Sequence, residues 1–400
     1  MPRSGWKKPE SDRRLSDLVS VGVLMKVFPP KVVDAVIAEC GRTEQRRRSL
    51  PARSMAYFAM GMALHSEGSY EDVLALISDG LSWAERGDSS ARLANKAAIS
   101  HARDRLGPEP MAKLFEAVAQ PLATKDTPGC WLAGRRLVAI DGTCLDLADT
   151  PANDAFFGRP GVMKGERSAF PQARVVALAE CGTHAIFEAA IGPYTTSENA
   201  LAGELLDRLT PGMLCLADRG FYSFEAWQRA SKTGADLAWR VKDNLKLDSI
   251  EDLPDGSWLA EVFHSTQDAR RQHPITVRVI EYTIDDGRDE AGPFRLITTI
   301  LDHRIAPAVA LASAYTQRWE IETVLDELKT HQRGPRSVLR SKSPELVTQE
   351  IWGHLCVHYA IRVLMFDAAV DAGRDPDRVS FVAALRISRR SIAQQGAFSP

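Results

Sequence analysis

The segment LASAYTQRWEIETVLDELKTH carries acids, cations and a tyrosine at spacings that fit one side of a helix. At ~100° per residue, Tyr315, Arg318, Glu322 and Lys329 fall within a sector of ~60°. Glu320 and Glu327 point away by ~140–160°. Ile321, Val324, Leu325 and Leu328 lie off the stripe and can pack on a sheet. A solvated face laced with i,i+4 pairs is the competing reading. Arg318–Glu322 is the one such pair among the four, and a tyrosine heads the row.

Two aspartates complete the set of chemically interesting acids. Asp141 follows the apolar run RRLVAI, and Asp218 follows MLCLA. Each is expected at the C-terminal end of a strand, where ligands gather in open sheets. Adjacent central strands would bring both carboxylates into one crevice. A turn-capping aspartate is the alternative for either alone. Asp146, Asp149 and Asp154 follow closely, and one of them is the ligand if the strand ends elsewhere. Such carboxylates are hard oxygen donors suited to Mg²⁺ or Mn²⁺. His354 and His358 share an i,i+4 spacing, but no Glu makes them an H-E-x-x-H site.

These residues need a frame. Residues 15–125 read as helical throughout, in LSDLVSVGVLMKVF, MAYFAMGMALHSEGSYEDVLALISDGL and MAKLFEAVAQPL. A helix around Ser90–Leu106 places Arg92, Lys96 and Arg103 on one side as a candidate DNA-reading face. Ile99 shares that sector, so an ordinary amphipathic helix competes. ATKDTPGCWLAG reads as a linker. The following order is a strand, a hairpin around Cys181-Gly182-Thr183, a helix capped by Ser197, a strand, a helix and a strand. That order predicts an α/β, ribonuclease H-like mixed sheet over 130–372. A β-rich insertion is expected at about 243–293. FRLITTIL then returns to the sheet, and a long helix runs from about Ala308 to His331. Ser343-Pro344-Glu345 opens another helix. Residues 1–125 are expected to form a helical N-terminal domain, a candidate for DNA binding, and 373–400 a tail.

Composition sets bounds. The 400 residues hold 44% hydrophobic and 26% charged side chains, with net charge −2. The basic N-terminus has no apolar core of a secretory signal, and no run is long enough to span a membrane. Six scattered cysteines fit small buried hydrophobes in a reducing cytoplasm. Cations cluster at residues 3–14, at Arg46, Arg47, Arg48 and Arg53, and at Arg333, Arg336, Arg340 and Lys342. Local phosphate contacts are therefore compatible with a near-neutral chain.

Asp141-Gly142-Thr143, Asp218-Arg219-Gly220-Phe221 and the Y-x2-R-x3-E-x6-K pattern together resemble the DDE transposases of bacterial insertion sequences, in their YREK group. The resemblance covers roughly residues 15–372. It implies Asp141, Asp218 and Glu322 as catalytic metal ligands, holding two Mg²⁺ or Mn²⁺ ions for in-line phosphodiester displacement. It implies double-stranded DNA as partner, both terminal inverted repeats and target, with a homodimer on paired ends and no membrane. Association with the nucleoid follows. Tyr315, Arg318 and Lys329 would contact phosphates, and Trp258 would stack on a displaced base, with hairpin packing as its alternative. Arg219 could reach phosphate or form a structural ion pair. Arg240, Lys242 and Lys246 could line a DNA channel or face solvent. Relatives extend further with a basic tail, so a truncated, catalytically silent inhibitor of transposition is the second reading. A general nuclease on the same fold is the third.

Overall fold

The computed structural model describes residues 20–46, 48–85, 94–161, 168–264, 273–283, 294–334 and 338–389. Six helices come first: α1 (Ser20–Val27), α2 (Pro30–Glu39), α3 (Ala52–Leu64), α4 (Tyr70–Glu85), α5 (Lys96–Leu106) and α6 (Glu109–Val118). Then follow β1 (Trp131–Leu132), β2 (Arg135–Asp146), α7 (Pro151–Phe157), β3 (Gln172–Glu180), β4 (Ile186–Pro193), α8 (Glu198–Leu206), β5 (Met213–Ala217), α9 (Phe224–Ser231) and β6 (Asp236–Arg240). The remaining strands are β7 (Glu251–Asp252), β8 (Trp258–Val262), β9 (Ile275–Tyr282) and β10 (Phe294–Thr298). The chain continues through α10 (Ala308–Thr316), α11 (Trp319–Asp326), a π-helical turn (Glu327–Gln332), α12 (Pro344–Asp371), a 3₁₀ turn (Pro376–Arg378) and α13 (Phe381–Ser388). Among the described residues no helix is long and apolar enough to cross a membrane.

One mixed sheet carries the strands in the order β4-β3-β2-β5-β6-β10-β9-β8-β7, with β1 on β2. β2, β5 and β6 are parallel, and β3 and β4 fold back antiparallel. This is the ribonuclease H-like arrangement that the element order predicts. Central strands are buried on both faces, which is why they read as near-continuous apolar runs. Val138 and Ile140 face one core with Leu201, Leu205 and Trp227, whereas Leu137 and Ala139 face the other with Ile321, Val324 and Leu325. Each such buried aliphatic side chain contributes roughly 1.5–3 kcal/mol.

The architecture refines two expectations and corrects two. The β-rich insertion is no separate module: β10 pairs with β6 on one side and β9 on the other, so the insertion extends the same sheet. The helical N-terminal region does not stand apart, since one hydrophobic core runs from Val21 through Leu385 and α12 packs on α3. The described part of the tail, residues 373–389, is folded, with Phe381, Ala384 and Leu385 of α13 buried, and residues 390–400 lie outside the described residues. The helix over 308–331 is three pieces. Gln317 and Arg318 break it after α10, and Glu327–Gln332 widen into a π-turn, so a uniform 100° step does not hold along it.

Candidate active site

β2 does not end at Asp141. It runs on to Asp146, with Asp141 opposite Ala177 of β3. The opening lies on the other flank, because β5 stops at Ala217, the partner of Ile140. Asp141 and Asp218 thus each directly follow the last registered pair of these adjacent parallel strands, Asp141 inside β2 and Asp218 just past β5. Ile140 and Ala217 belong to the core under α8, so alternation sends both aspartates to the opposite face. That face is covered by α11, which carries Glu322.

The Arg318 guanidinium lies among these acids. Nη2 donates to Glu322 Oε1 at 3.0 Å, and Nη1 is 3.8 Å from Asp141 Oδ2. The Arg318 side chain is only 7% exposed, whereas that of Glu322 is 47% exposed and that of Asp141 21%. Among the described residues no three His, Cys, Asp or Glu side chains already share one ion-binding point. Burial pushes the Asp141 carboxyl up to about 6; Glu198 and Glu322 add to this, against the Gly142 N–H and Arg318. Glu198, the first residue of α8, is also pushed upward by burial and by Asp218. The competing acids are engaged elsewhere: Asp146 accepts from Gln172 Nε2 at 2.8 Å, and Asp149 and Asp154 pair with Arg159.

A stability consequence follows in the metal-free protein. Asp141 ionises near 3.8 when unexposed to this environment and near 6 when folded. Between those values the folded state holds the extra proton, so its stability falls as pH rises through the window. Asp141→Asn removes that cost. In EDTA it melts higher than the parent at pH 8, and the gap closes below about pH 4. Equal melting temperatures at pH 8 would show that Asp141 lies in no such cluster.

The other expected contacts divide. Lys329 is exposed on the π-turn and acts electrostatically on Cys144 of β2. Arg240 stacks over Phe294 at 4.1 Å and stands 4.0 Å from Asp218. Arg219, Lys242 and Lys246 are exposed. Three residues require correction. Tyr315 is buried, and its hydroxyl donates to the Ala217 carbonyl at 3.2 Å, fixing α10 to the end of β5 instead of facing a phosphate. Trp258 donates its indole N–H to the Leu247 carbonyl at 3.0 Å and packs on the second core, which is its alternative reading. Arg103 is fully buried and donates to Gln349 Oε1, Tyr70 Oη, Ser341 Oγ and the Leu346 carbonyl. It ties α5 to α12 and cannot read DNA from there. Its helix begins at Lys96, which is exposed beside the Tyr70 ring, and Arg92 lies outside the described residues.

Sequence reasoning passed over Glu327. It is buried beneath the π-turn and ion-paired with Arg362 of α12, and His358 Nε2 lies 3.1 Å from its Oε2. Burial raises its carboxyl, but the His358 bond and the Arg362 charge outweigh that and hold it low. His354 faces Gln332, so both α12 histidines are spent inside the core.

The fold defines the class first: a ribonuclease H-like chain with acidic side chains at the mouth between β2 and β5. Known proteins then supply the family. Residues 18–116 match the model for the insertion element 4 transposase N-terminal region, and residues 132–360 match the transposase DDE domain. The chain is 31% identical over 360 residues to transposase InsG for insertion sequence element IS4 of Escherichia coli strain K12, covering 88% of this chain and 78% of InsG. It is 26% identical over 230 residues to InsZ of the same strain, covering 57% of this chain and 74% of InsZ. A cryo-EM structure of the piggyBac transposase synaptic complex with hairpin DNA aligns over 96% of this chain and 82% of its own, at 12% identity and a TM-score of 0.47. The chain belongs to the DDE transposases of the insertion element 4 type, and it is a DNA transposase.

Proposed function

We propose that this transposase cleaves DNA at the ends of its element and joins the freed ends to target DNA, with Asp141, Asp218 and Glu322 holding divalent Mg²⁺ or Mn²⁺, two ions in all. The observation that carries the reading is that Asp141 and Asp218 directly follow the paired residues Ile140 and Ala217 at the point where β5 ends, with Arg318 of the α10–α11 break lying between Asp141 and Glu322. The donor set fits such ions: three carboxylates, hard oxygen donors, with a guanidinium among them as a stand-in cation. When bound, the metal supplies Lewis-acid activation of the attacking oxygen and stabilisation of the leaving one.

The chain's own residues do the rest. Glu322 and Asp141 would hold the ion, and the Arg318 guanidinium beside them is a planar, bidentate donor suited to a phosphate. Arg240, 4.0 Å from Asp218, and the exposed Lys329, Arg219 and Lys242 offer positive charge to the DNA backbone. Tyr315 holds the helix break against β5, so Arg318 leaves α10 at a fixed place. Double-stranded DNA with terminal inverted repeats is the substrate, and two copies of the chain act on paired ends.

A nicking assay tests the reading. The full chain is mixed with DNA carrying the element's own ends, with and without Mg²⁺. Metal-dependent cuts at those ends support it. Metal-dependent cutting without preference for the ends would favour a general nuclease, and end binding without cutting would favour a silent inhibitor.

A further inference from the structure

We propose that Glu198 is a fourth carboxylate of this metal site, entering it from the opposite face of the sheet. The inference rests on the reading of Asp141, Asp218 and Glu322 as the metal-holding set. Alternation along β2 sends Asp141 toward α11 and position 142 toward α8. Glu198 is the first residue of α8, whose cap Ser197 accepts the Ala200 N–H. From there its side chain folds back across β2. A Cβ on residue 142 would meet Glu198 Oε1 at 2.0 Å, Cδ at 3.0 Å and Cγ at 3.2 Å. Gly142 has no positive φ, so the backbone does not demand a glycine there. The missing side chain is what admits the carboxylate.

The admitted group has little else to do. Glu198 is half-buried, and no hydrogen-bond donor or ion-pair partner reaches its carboxylate among the described residues. Arg174 acts on it from beyond ion-pair distance, while Asp141 and Asp218 are close enough to repel it. Neighbouring acids with structural roles are bonded: Asp146 to Gln172, Asp154 to Arg159. A partly desolvated carboxylate beside two others raises the energy of all three unless a cation joins them. The first turn of a helix favours an acid, but that preference does not require the side chain to bend over a glycine. A divalent cation shared with Asp141 and Asp218 accounts for the bend, the glycine and the missing partner together.

Mn²⁺ binding to the full chain, followed by the electron paramagnetic resonance of free Mn²⁺, tests this without relying on turnover. Glu198→Gln keeps size and removes charge. Gly142→Ala keeps every carboxylate and pushes Glu198 aside. Each is expected to raise the Mn²⁺ Kd about tenfold, with a melting temperature no lower than the parent's and DNA binding retained. Asp141→Asn serves as reference and weakens binding at least as much. Parental affinity in either Glu198→Gln or Gly142→Ala, alongside a weakened Asp141→Asn, overturns the role of Glu198. Parental affinity in Asp141→Asn as well overturns the underlying reading of the site instead.

Discussion

Asp218→Asn and Asp141→Asn each lower cleavage at element ends by about 10³-fold or more, a barrier increase of about 4 kcal/mol. Asparagine preserves the shape of each side chain and removes the charge that holds a hard cation. Both positions sit at the mouth where β5 stops, so neither change opens a core. DNA binding is expected to remain within about threefold, because phosphate contact is spread over many cations. Glu322→Gln moves the same way; its side chain is half-exposed and, among the described residues, bonded only to Arg318. Cleavage rates and gel-shift affinities on the same end-containing duplex give both quantities. A variant that still cuts at the parental rate removes that residue from the metal set.

Glu327→Ala is expected to destabilise the fold by about 3–5 kcal/mol, the cost of leaving a buried charge without its partner. Arg362 is buried at 3% side-chain exposure, and Glu327 at 7%. Removing the acid strands the guanidinium between α12 and the π-turn. Arg362→Ala strands the acid and costs a similar amount. Glu327→Gln keeps a polar group beside His358 and falls between. Urea denaturation of the three variants reads the order directly. The π-turn also carries Lys329, so a loosened turn weakens end binding as well as the fold. A loss below about 1 kcal/mol in Glu327→Ala would mean that the buried pair is not holding the turn.

Much of this site was legible in the sequence. Apolar runs ending in Asp141 and Asp218 gave parallel neighbours because buried central strands have no polar face to hide. Ser197 and Ser343 marked the starts of α8 and α12, and at Ser197 the hydroxyl accepts a helix N–H. Glu322 was placed beside Arg318 by helical spacing, and those two residues do pair. What failed was non-local. Arg103 has the spacing of a surface cation, and only the arrival of Gln349 and Ser341 from more than two hundred residues away makes it interior. The phase of Tyr315 and Lys329 assumed an unbroken helix, which the break at Gln317–Arg318 and the π-turn remove. Glu198 carried no signal in the sequence, because its meeting with Gly142 depends on strand and helix packing across the sheet.

The claim that acids at the β2–β5 mouth hold the metal is tested most directly by changing which metal the site accepts. A thiolate is a softer ligand than a carboxylate and disfavours Mg²⁺ more than Mn²⁺. Asp218→Cys and Asp218→Ala, both confirmed to bind element-end DNA, are assayed for cleavage in each metal. The account predicts that Asp218→Cys is inactive in Mg²⁺ and regains cleavage in Mn²⁺, while Asp218→Ala is inactive in both. Equal activity of Asp218→Cys in the two metals, or its failure to recover in Mn²⁺ with DNA binding intact, would contradict it.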